Sequence, residues 1–290
     1  MAFVQSGDSG VPSPGTISQD PLAALIAGEL TGADLDLPVL PSIASEVLGS
    51  SLSDQSDAAR LATLIQQDQS LAGHVLRVVN SPAFRGATEI VALKQAIARL
   101  GLDRIREIAL AASLGGKLFD SGAYQSIADR NWKLALAAGL WAKEVARACR
   151  KNVEIAYLCG LLHNIGVPLV LQLIMTHSED VLEAARLDQL LSAESSLAGS
   201  VLAREWKLPD AVAATTEFLR VPENAGKHSN MVSIANAGVY IAELMLDAGL
   251  DLDQVVGLKS IQELNLYPED VETLLACEEQ IRQAMEAMQG

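Results

Sequence analysis

The sequence Leu-Leu-His-Asn-Ile-Gly at residues 161 to 166 holds side chains whose types could support metal chemistry. Metal-dependent hydrolases need neutral imidazoles, which fix geometry around the ion, and carboxylates, which neutralise a hard dication and orient its water. His163 supplies an imidazole, and Gly166 and Pro168 would allow a helix to end beside it. Asn164 supplies only an uncharged carbonyl where an aspartate would suggest a phosphohydrolase. The stretch is either a metal site with an unusual ligand or the remains of one.

The other potential ligands do not assemble a second site in the sequence. The remaining histidines are remote or lie in or beside predicted loops, namely His74, His177 and His228. The cysteines are scattered and form no CxxC pair, namely Cys149, Cys159 and Cys277. This pattern argues against a zinc cluster or a disulfide framework and favours a reducing compartment. Acids near the histidine stretch are ordinary for helix surfaces, so we assign no acid–base role to Glu194, Glu205 or Asp210.

Composition excludes several classes of function. The 36 acidic and 21 basic residues give a net charge of −15, which argues against nonspecific binding to nucleic acid or to anionic membranes. The first fifteen residues lack the basic and apolar regions of a signal peptide, and no uninterrupted apolar run has the roughly 18 residues of a membrane span. These features predict a soluble protein of the cytoplasm that binds neither nucleic acid nor membrane.

Apolar residues recur with helical spacing from Pro21 onward, which predicts an all-α fold. For example, Ala58, Leu61, Leu64 and Ile65 are spaced three and four residues apart and would share one helix face. Half of the 290 residues are hydrophobic and only 4% are aromatic, so we expect helices that pack closely through small side chains. We find no period-two β pattern and no Asn-Gly or Asp-Gly hairpin signal.

Proline, glycine and turn-forming residues suggest where these helices begin and end and how the chain divides. The Asn80-Ser81-Pro82 turn and Gly101 are expected to end helices, and Pro268 fits the first turn of an acidic C-terminal helix. The Gly- and Ser-containing segment 119–126 is the best internal boundary. We predict three parts, with a flexible tail at 1–19, an N-terminal helical subdomain at 20–120 and a C-terminal helical core at 121–290.

Several stretches together resemble the HDOD family, the HD-related output domains of bacterial signalling proteins, over about residues 30 to 250. The matching stretches lie at residues 37–48, 61–84, 96–108, 158–166 and 199–209. The specific element is Asn80, Ser81 and Phe84, followed later by the Leu-Leu-His stretch. The resemblance implies a multi-helix domain in which the N-terminal subdomain packs on a degenerate HD-type helical core. Asn80, Ser81 and Phe84 are then candidates for an interface or for a structural motif.

The wider HD superfamily, to which this family is similar, uses an upstream histidine, a His-Asp pair and a late aspartate as metal ligands. By this resemblance, the positions fall at Leu134, His163, Asn164 and Asn236. Two further histidine positions of many relatives fall near Ser195 and near Leu219-Arg220. Only His163 keeps a side chain that binds metals well, so we expect no catalytic residue, no metal and no cofactor.

The resemblance implies a non-catalytic output or adaptor module that acts through contacts with signalling proteins. Such a module could stand alone or form the output part of a longer protein such as a response regulator. Apolar helix faces make a homodimer plausible. Two alternatives remain open, a metal-dependent phosphodiesterase on nucleotides or cyclic dinucleotides, and a module that binds a nucleotide without cleaving it.

Overall fold

The structure, a computed structural model, describes residues 20–32, 35, 37–50, 58–84, 86, 88–115 and 121–289. Across these residues all regular secondary structure is helical, with sixteen α-helices and two 3₁₀ segments, Gly122–Tyr124 and Pro222–His228. The prediction of an all-α fold is confirmed. The predicted tail at 1–19 lies outside the described residues.

The helices of the N-terminal half are α1 (Pro21–Thr31), α2 (Ser42–Ser50), α3 (Ala58–Gln67), α4 (Gln69–Val79), α5 (Leu93–Leu100) and α6 (Leu102–Leu114). Those of the C-terminal half are α7 (Gln125–Ala148), α8 (Val153–Leu162), α9 (Gly166–His177), α10 (Ala184–Glu205), α11 (Asp210–Phe218), α12 (Ser229–Asp247), α13 (Leu252–Val256), α14 (Lys259–Glu263), α15 (Pro268–Leu275) and α16 (Glu278–Gln289).

Local sequence explains several of the helix ends. Asp20, Asp68 and Asn152 precede α1, α4 and α8, and each accepts a hydrogen bond from a backbone N–H of the first turn. Gly101 separates α5 from α6 with a φ of +83°, a conformation that glycine adopts without strain. The expected breaks after α4 and at Gly101 are therefore where the sequence places them.

The long helix α7 is the centre of the fold and packs most extensively against α8 and α12. Glycines let these helices approach closely. A Cβ at Gly160 of α8 would lie 2.4 Å from the backbone oxygen of Ala138, and one at Gly238 of α12 would lie 2.6 Å from the backbone nitrogen of Ala142. The short distances explain why glycine and alanine stand where α7 meets α8 and α12.

The two halves share one hydrophobic core that extends from Leu22 to Met288. The first helix, α1, packs on α9 and α10 of the C-terminal half, and Arg186 and Asp20 form an ion pair there. At the other end of the chain, α16 packs on α4, α6 and α7. Helices are thus exchanged across the sequence boundary near residue 121, and the halves cover each other's apolar surface.

The C-terminal segment differs from the single amphipathic helix that its sequence suggests. Pro268 does begin a helix, but α15 ends at Leu275, and α16 begins at Glu278. A turn in which the backbone N–H of Cys277 donates to the oxygen of Leu274 separates them. The break directs α15 towards α13 and α7, whereas α16 reaches α4 and α6.

The stretch Val153–His177, which contains α8 and α9, is long and apolar enough to cross a membrane by length and composition. Its most apolar window is 61% buried inside the fold. A core helix of a folded domain shows the same combination, so the stretch is weak evidence for a span. His163 and Asn164, the residues of chemical interest, lie within this stretch.

Candidate functional site

The break between α8 and α9 positions His163 and Asn164. The helix α8 ends at Leu162, His163 follows as its C-cap, and α9 begins at Gly166. A Cβ at position 166 would lie 2.0 Å from the backbone oxygen of Ser195, so only glycine lets the start of α9 lie directly against α10. Close contact with α10 therefore fixes the histidine–asparagine turn.

His163 is half-buried and uncharged. Its Nδ1 lies 2.6 Å from the backbone oxygen of Gly160, and because a carbonyl can only accept, the proton resides on Nδ1. Burial lowers the pKa of the His163 imidazole to about 4, which outweighs the opposing effect of this hydrogen bond. The ring is neutral at physiological pH and keeps the Nε2 lone pair that a metal would use.

Asn164 is hydrogen-bonded to an asparagine of α7 that the family resemblance did not identify as a site residue. Its Nδ2 donates to Oδ1 of Asn131 at 2.7 Å and to the backbone oxygen of Asn131 at 3.1 Å. Asn131 precedes Leu134 by about one helical turn, and Leu134 packs as a partly buried apolar residue against the core. The spacing of three residues could have revealed Asn131, because positions i and i+3 share one side of a helix.

Asn236 lies in α12 and is 7% exposed. Its Nδ2 donates to the backbone oxygen of Leu219 at 2.8 Å, which ties α12 to the end of α11. Asn236 and Leu219 correspond to two different ligand positions in the family resemblance, and they are in contact in the fold. The hydroxyl of Ser195, the other selected position, is buried and has no hydrogen-bond partner among the described residues.

Glu194 differs from the surface acid that its sequence context suggests. The residue is only 8% exposed, and burial raises the pKa of its carboxyl group. Glu205 and Asp210, in contrast, are exposed as expected. Buried polar positions in a helix that is half apolar cannot be told from exposed ones by composition alone.

These donors do not fit a tightly bound dication. The only good ligand at the turn is the single imidazole of His163, and the amides of Asn164 and Asn236 carry no charge and already bond to protein atoms. In the described part of the chain, no three His, Cys, Asp or Glu side chains come together as a metal site. A lone imidazole without carboxylates neither neutralises the ion nor orients a water for attack.

The second candidate, the Asn80 motif, forms a clamp on the loop between α4 and α5. Nδ2 of Asn80 donates to the backbone oxygens of Leu76 at 2.9 Å and Ile90 at 2.8 Å. Its Oδ1 accepts from the backbone N–H of Ile90 at 2.8 Å. The side chain thereby pairs both backbone groups of a residue ten positions away. The neighbouring Ser81 hydroxyl is buried without a hydrogen-bond partner in the described structure.

Phe84 connects this motif to a group of charges that we call the seam cluster, formed by Arg104, Arg106, Glu107 and Lys143. The guanidinium of Arg104 lies over the Phe84 ring, 5.7 Å from its centroid. Arg104 also donates to Glu107 at 3.0 Å, and Lys143 of α7 pairs with the same carboxylate in the interior. The cluster joins α6 of the N-terminal half to α7 of the C-terminal half.

Burial and pairing oppose each other in this cluster. Desolvation lowers the pKa of Lys143, while the charge of Glu107 acts to raise it. The hydroxyl of Tyr157 donates to the backbone oxygen of Glu107 at 3.3 Å, which adds α8 to the contact. One signal in the sequence could have found the cluster, since Lys143 is the only charge between Leu134 and Glu144.

Comparison with known proteins identifies the family. The HDOD domain matches residues 37–222. An uncharacterised protein of Treponema pallidum is 28% identical over 211 residues, which make up 68% of this chain and 39% of that protein. The chain thus spans about two fifths of the length of this relative.

Solved structures share the fold at low sequence identity. A candidate metal-dependent phosphohydrolase of Shewanella amazonensis has a TM-score of 0.71 at 22% identity, with 91% of this chain and 97% of that chain covered. An HDOD domain protein of unknown function from Geobacter sulfurreducens has a TM-score of 0.65 at 20% identity, with 92% and 96% covered. A candidate signal transduction protein of Marinobacter aquaeolei has a TM-score of 0.63 at 22% identity, with 88% and 60% covered. Because the HDOD domain matches well over half of its length, this chain belongs to the HDOD family.

Proposed function

We propose that this protein is a signal-transduction module without catalytic activity, and that it relays a regulatory state through contacts with protein partners in the bacterial cytoplasm. Membership of the HDOD family supports the general assignment to signalling. The non-catalytic role rests on the chemistry of the turn between α8 and α9.

The pairing of Asn164 with Asn131 carries the proposal. An aspartate at position 164 would have no hydrogen to donate to the backbone oxygen of Asn131, whereas the amide of Asn164 donates to both oxygens of Asn131. Asn236 is likewise used in a structural bond to α11. Both residues thus form hydrogen bonds that hold together the helices around His163.

Metal analysis of the untagged protein, purified without chelator, tests the catalytic half of the proposal. We expect well under one equivalent of iron, manganese, zinc or magnesium, and no hydrolysis of a phosphodiester or of cyclic dinucleotides when these ions are added. Asn164→Asp is the matched variant, because it restores a carboxylate beside the imidazole at constant size. Stoichiometric metal in the wild-type protein, with hydrolysis that His163→Ala abolishes, would show instead that the protein is a metal-dependent phosphodiesterase.

Partner binding tests the second part of the proposal, the adaptor role. Proteins captured by the full chain should include one whose complex can be rebuilt from purified components and measured by calorimetry. Sedimentation of the isolated chain separates self-association from binding to a different protein. A nucleotide panel that gives binding heats while no protein partner can be reconstituted would contradict the adaptor role and favour a nucleotide-binding module.

A further inference from the structure

A small cavity of about 20 Å³ lies between α2, α6 and α8, where the two halves of the fold meet, and it opens to solvent on one side. Its apolar wall includes Val47 of α2 and Leu158 of α8. Its polar wall includes Asp103 and Arg106 of α6 and Glu154 of α8. One carboxyl group from each half of the fold therefore lines the same cavity.

The carboxyl groups of Asp103 and Glu154 lie within hydrogen-bonding reach of each other. An ionised carboxylate only accepts hydrogen bonds, so a bond between these two groups requires a proton on one of them. The side chain of Asp103 is 60% exposed, whereas Glu154 is partly buried. Solvent protons can therefore reach the pair, and Glu154 is the member for which the charged form is more costly.

Opposing influences act on the ionisation of Glu154. Its position in the first turn of α8 and the charge of Arg106 favour the ionised form. Burial, followed by the charge of Asp103 and to a lesser extent that of Glu107, opposes it, and the net result raises the pKa of Glu154 above its ordinary value of 4.5.

Arg106 does not hold Glu154 in the ionised form by a direct bond. Its Nη1 donates to Oδ1 of Asp103 at 2.9 Å, and its Nε and Nη2 have no hydrogen-bond partner among the described residues. The guanidinium is thus directed at Asp103, which keeps the negative charge that Glu154 faces.

The other groups around the cavity do not supply a second cation for Glu154. Glu107 is held by Arg104 and by Lys143 of α7, so these two cations are already paired. Burial raises the pKa of Tyr157, whose hydroxyl stays neutral and donates to the backbone oxygen of Glu107. Among the described residues, α2 contributes only the apolar Val47 to the lining.

We propose that Asp103 and Glu154 form a proton-sensitive link between the two halves of the fold. When a proton lies between the carboxyl groups, Glu154 donates a hydrogen bond to Asp103 and ties α8 to α6. When the proton is lost, two negative charges face each other across the same contact. The halves are therefore held together more tightly in acid than in alkali at this point, whatever partner or reaction the module serves.

Side-chain NMR of the full chain labelled with ¹³C-glutamate measures the ionisation of Glu154 directly. Its carboxyl signal is identified by its absence from the spectrum of Glu154→Gln. We expect the titration midpoint to lie above 4.5 in the wild type and to move down in Asp103→Asn, which removes the facing charge at constant size.

The pH dependence of stability tests the link itself. Because folding raises the pKa of Glu154, the stability that its proton contributes is complete below pH 4.5 and is lost as the pH rises through the folded midpoint. Glu154→Gln carries an amide that donates to Asp103 at every pH. In urea denaturation from pH 4 to 8, this variant should therefore gain stability relative to the wild type as the pH rises.

Glu205→Gln is the matched control, because it removes an exposed acid at the end of α10. Its difference from the wild type should stay constant over the same range. A Glu154 midpoint at or below 4.5, a midpoint that Asp103→Asn leaves unchanged, or a pH-independent difference for Glu154→Gln would overturn the proposal. The wild-type titration decides even if a variant fails to fold, and none of these measurements depends on catalysis or on a protein partner.

Discussion

The turn around His163 and the seam cluster are both largely buried polar regions, yet they satisfy their polar groups in opposite ways. Around His163 the polar side chains are neutral and bond to amides and backbone carbonyls. At the seam, Glu107 is held by Arg104 and Lys143, and full charges meet in the interior. A neutral network needs no ion and tolerates burial at modest cost, whereas buried charges are stable only as long as every partner is present.

This difference shows where the molecule is sensitive to change. The resemblance to HD enzymes directs attention to the histidine turn, where the polar side chains bond to protein amides and backbone carbonyls. The seam connects the two halves of the fold, and loss of one charge there would leave another buried without its partner.

The largest expected effect comes from breaking the packing at the turn. Gly166→Ala places a Cβ 2.0 Å from a backbone oxygen of α10, and neither backbone can move away without separating α9 from α10. We expect a loss of about 5 kcal/mol in the free energy of unfolding, or a failure to fold. Urea denaturation measures it.

Gly73→Ala in α4 is the matched control, because no atom lies within 4 Å of the added Cβ. An exposed helical glycine replaced by alanine should gain about 0.5–1 kcal/mol. Similar stabilities for the two variants would mean that α9 and α10 are farther apart than described.

The next largest loss of stability is expected at the seam, where removing one buried charge leaves another without a partner. Lys143→Met removes one of two cations that hold the buried Glu107, and we expect a loss of about 3 kcal/mol in the free energy of unfolding. Adding Glu107→Gln to this variant should recover part of the loss, because the uncompensated charge is then gone.

Lys227→Met provides the comparison with an exposed pair. Lys227 and Asp210 lie 3.4 Å apart with side chains 76% and 78% exposed, so this variant should unfold with the wild-type midpoint. Equal losses for the two lysine variants would show that the seam is accessible to water and not a buried cluster.

The sequence predicts the parts of this structure that depend on local pattern. Periodic apolar residues give the all-α fold, and Gly101 and Pro268 mark helix boundaries because their backbone preferences act locally. Gly166 and Pro168 also allow a helix to end beside His163, and α8 does end at Leu162. These inferences need no knowledge of how the helices pack.

The partners of these residues could not be predicted, because they depend on the rotation of one helix against another. The contact of Asn164 with Asn131 needs the register of α8 on α7. Glu107 and Lys143 are 36 residues apart, and the apolar run before Lys143 indicates burial but does not identify its partner. The seven consecutive residues 105–111 of α6 are all buried, so this helix is covered on every side and its amphipathic pattern is no guide to exposure.

The pH dependence of stability distinguishes the neutral turn from its surroundings. Folded His163 takes up a proton only near pH 4, whereas in the unfolded chain it does so near 6.5. Unfolding therefore binds a proton between these values, and this residue's contribution to stability falls as the pH is lowered through that window. The shift corresponds to up to about 3 kcal/mol.

His163→Gln should remove the pH-dependent contribution that His163 makes to the free energy of unfolding. The difference in unfolding free energy between wild type and variant, measured by urea denaturation from pH 7 to 4, should decrease steadily below pH 6.5, because the carboxylates common to both proteins cancel. A constant difference over this range would mean that His163 takes up a proton as readily in the folded as in the unfolded chain, and would reopen the question of a nearby carboxylate.

The smallest of these effects separates the two adjacent polar residues of the Asn80 motif. Asn80→Ala leaves both the N–H and the carbonyl of Ile90 without their present partner, and we expect a loss of about 2 kcal/mol in the free energy of unfolding. Ser81→Ala removes a buried hydroxyl that has no hydrogen bond, so its stability should equal or slightly exceed that of the wild type. Urea denaturation compares the two variants. If Ser81→Ala were instead the more damaging change, the Ser81 hydroxyl would have a hydrogen-bond partner within the folded chain, contrary to the structure. If Asn80→Ala is the more damaging, the motif acts by fixing the loop that follows α4, next to the contact of Phe84 with Arg104 at the seam.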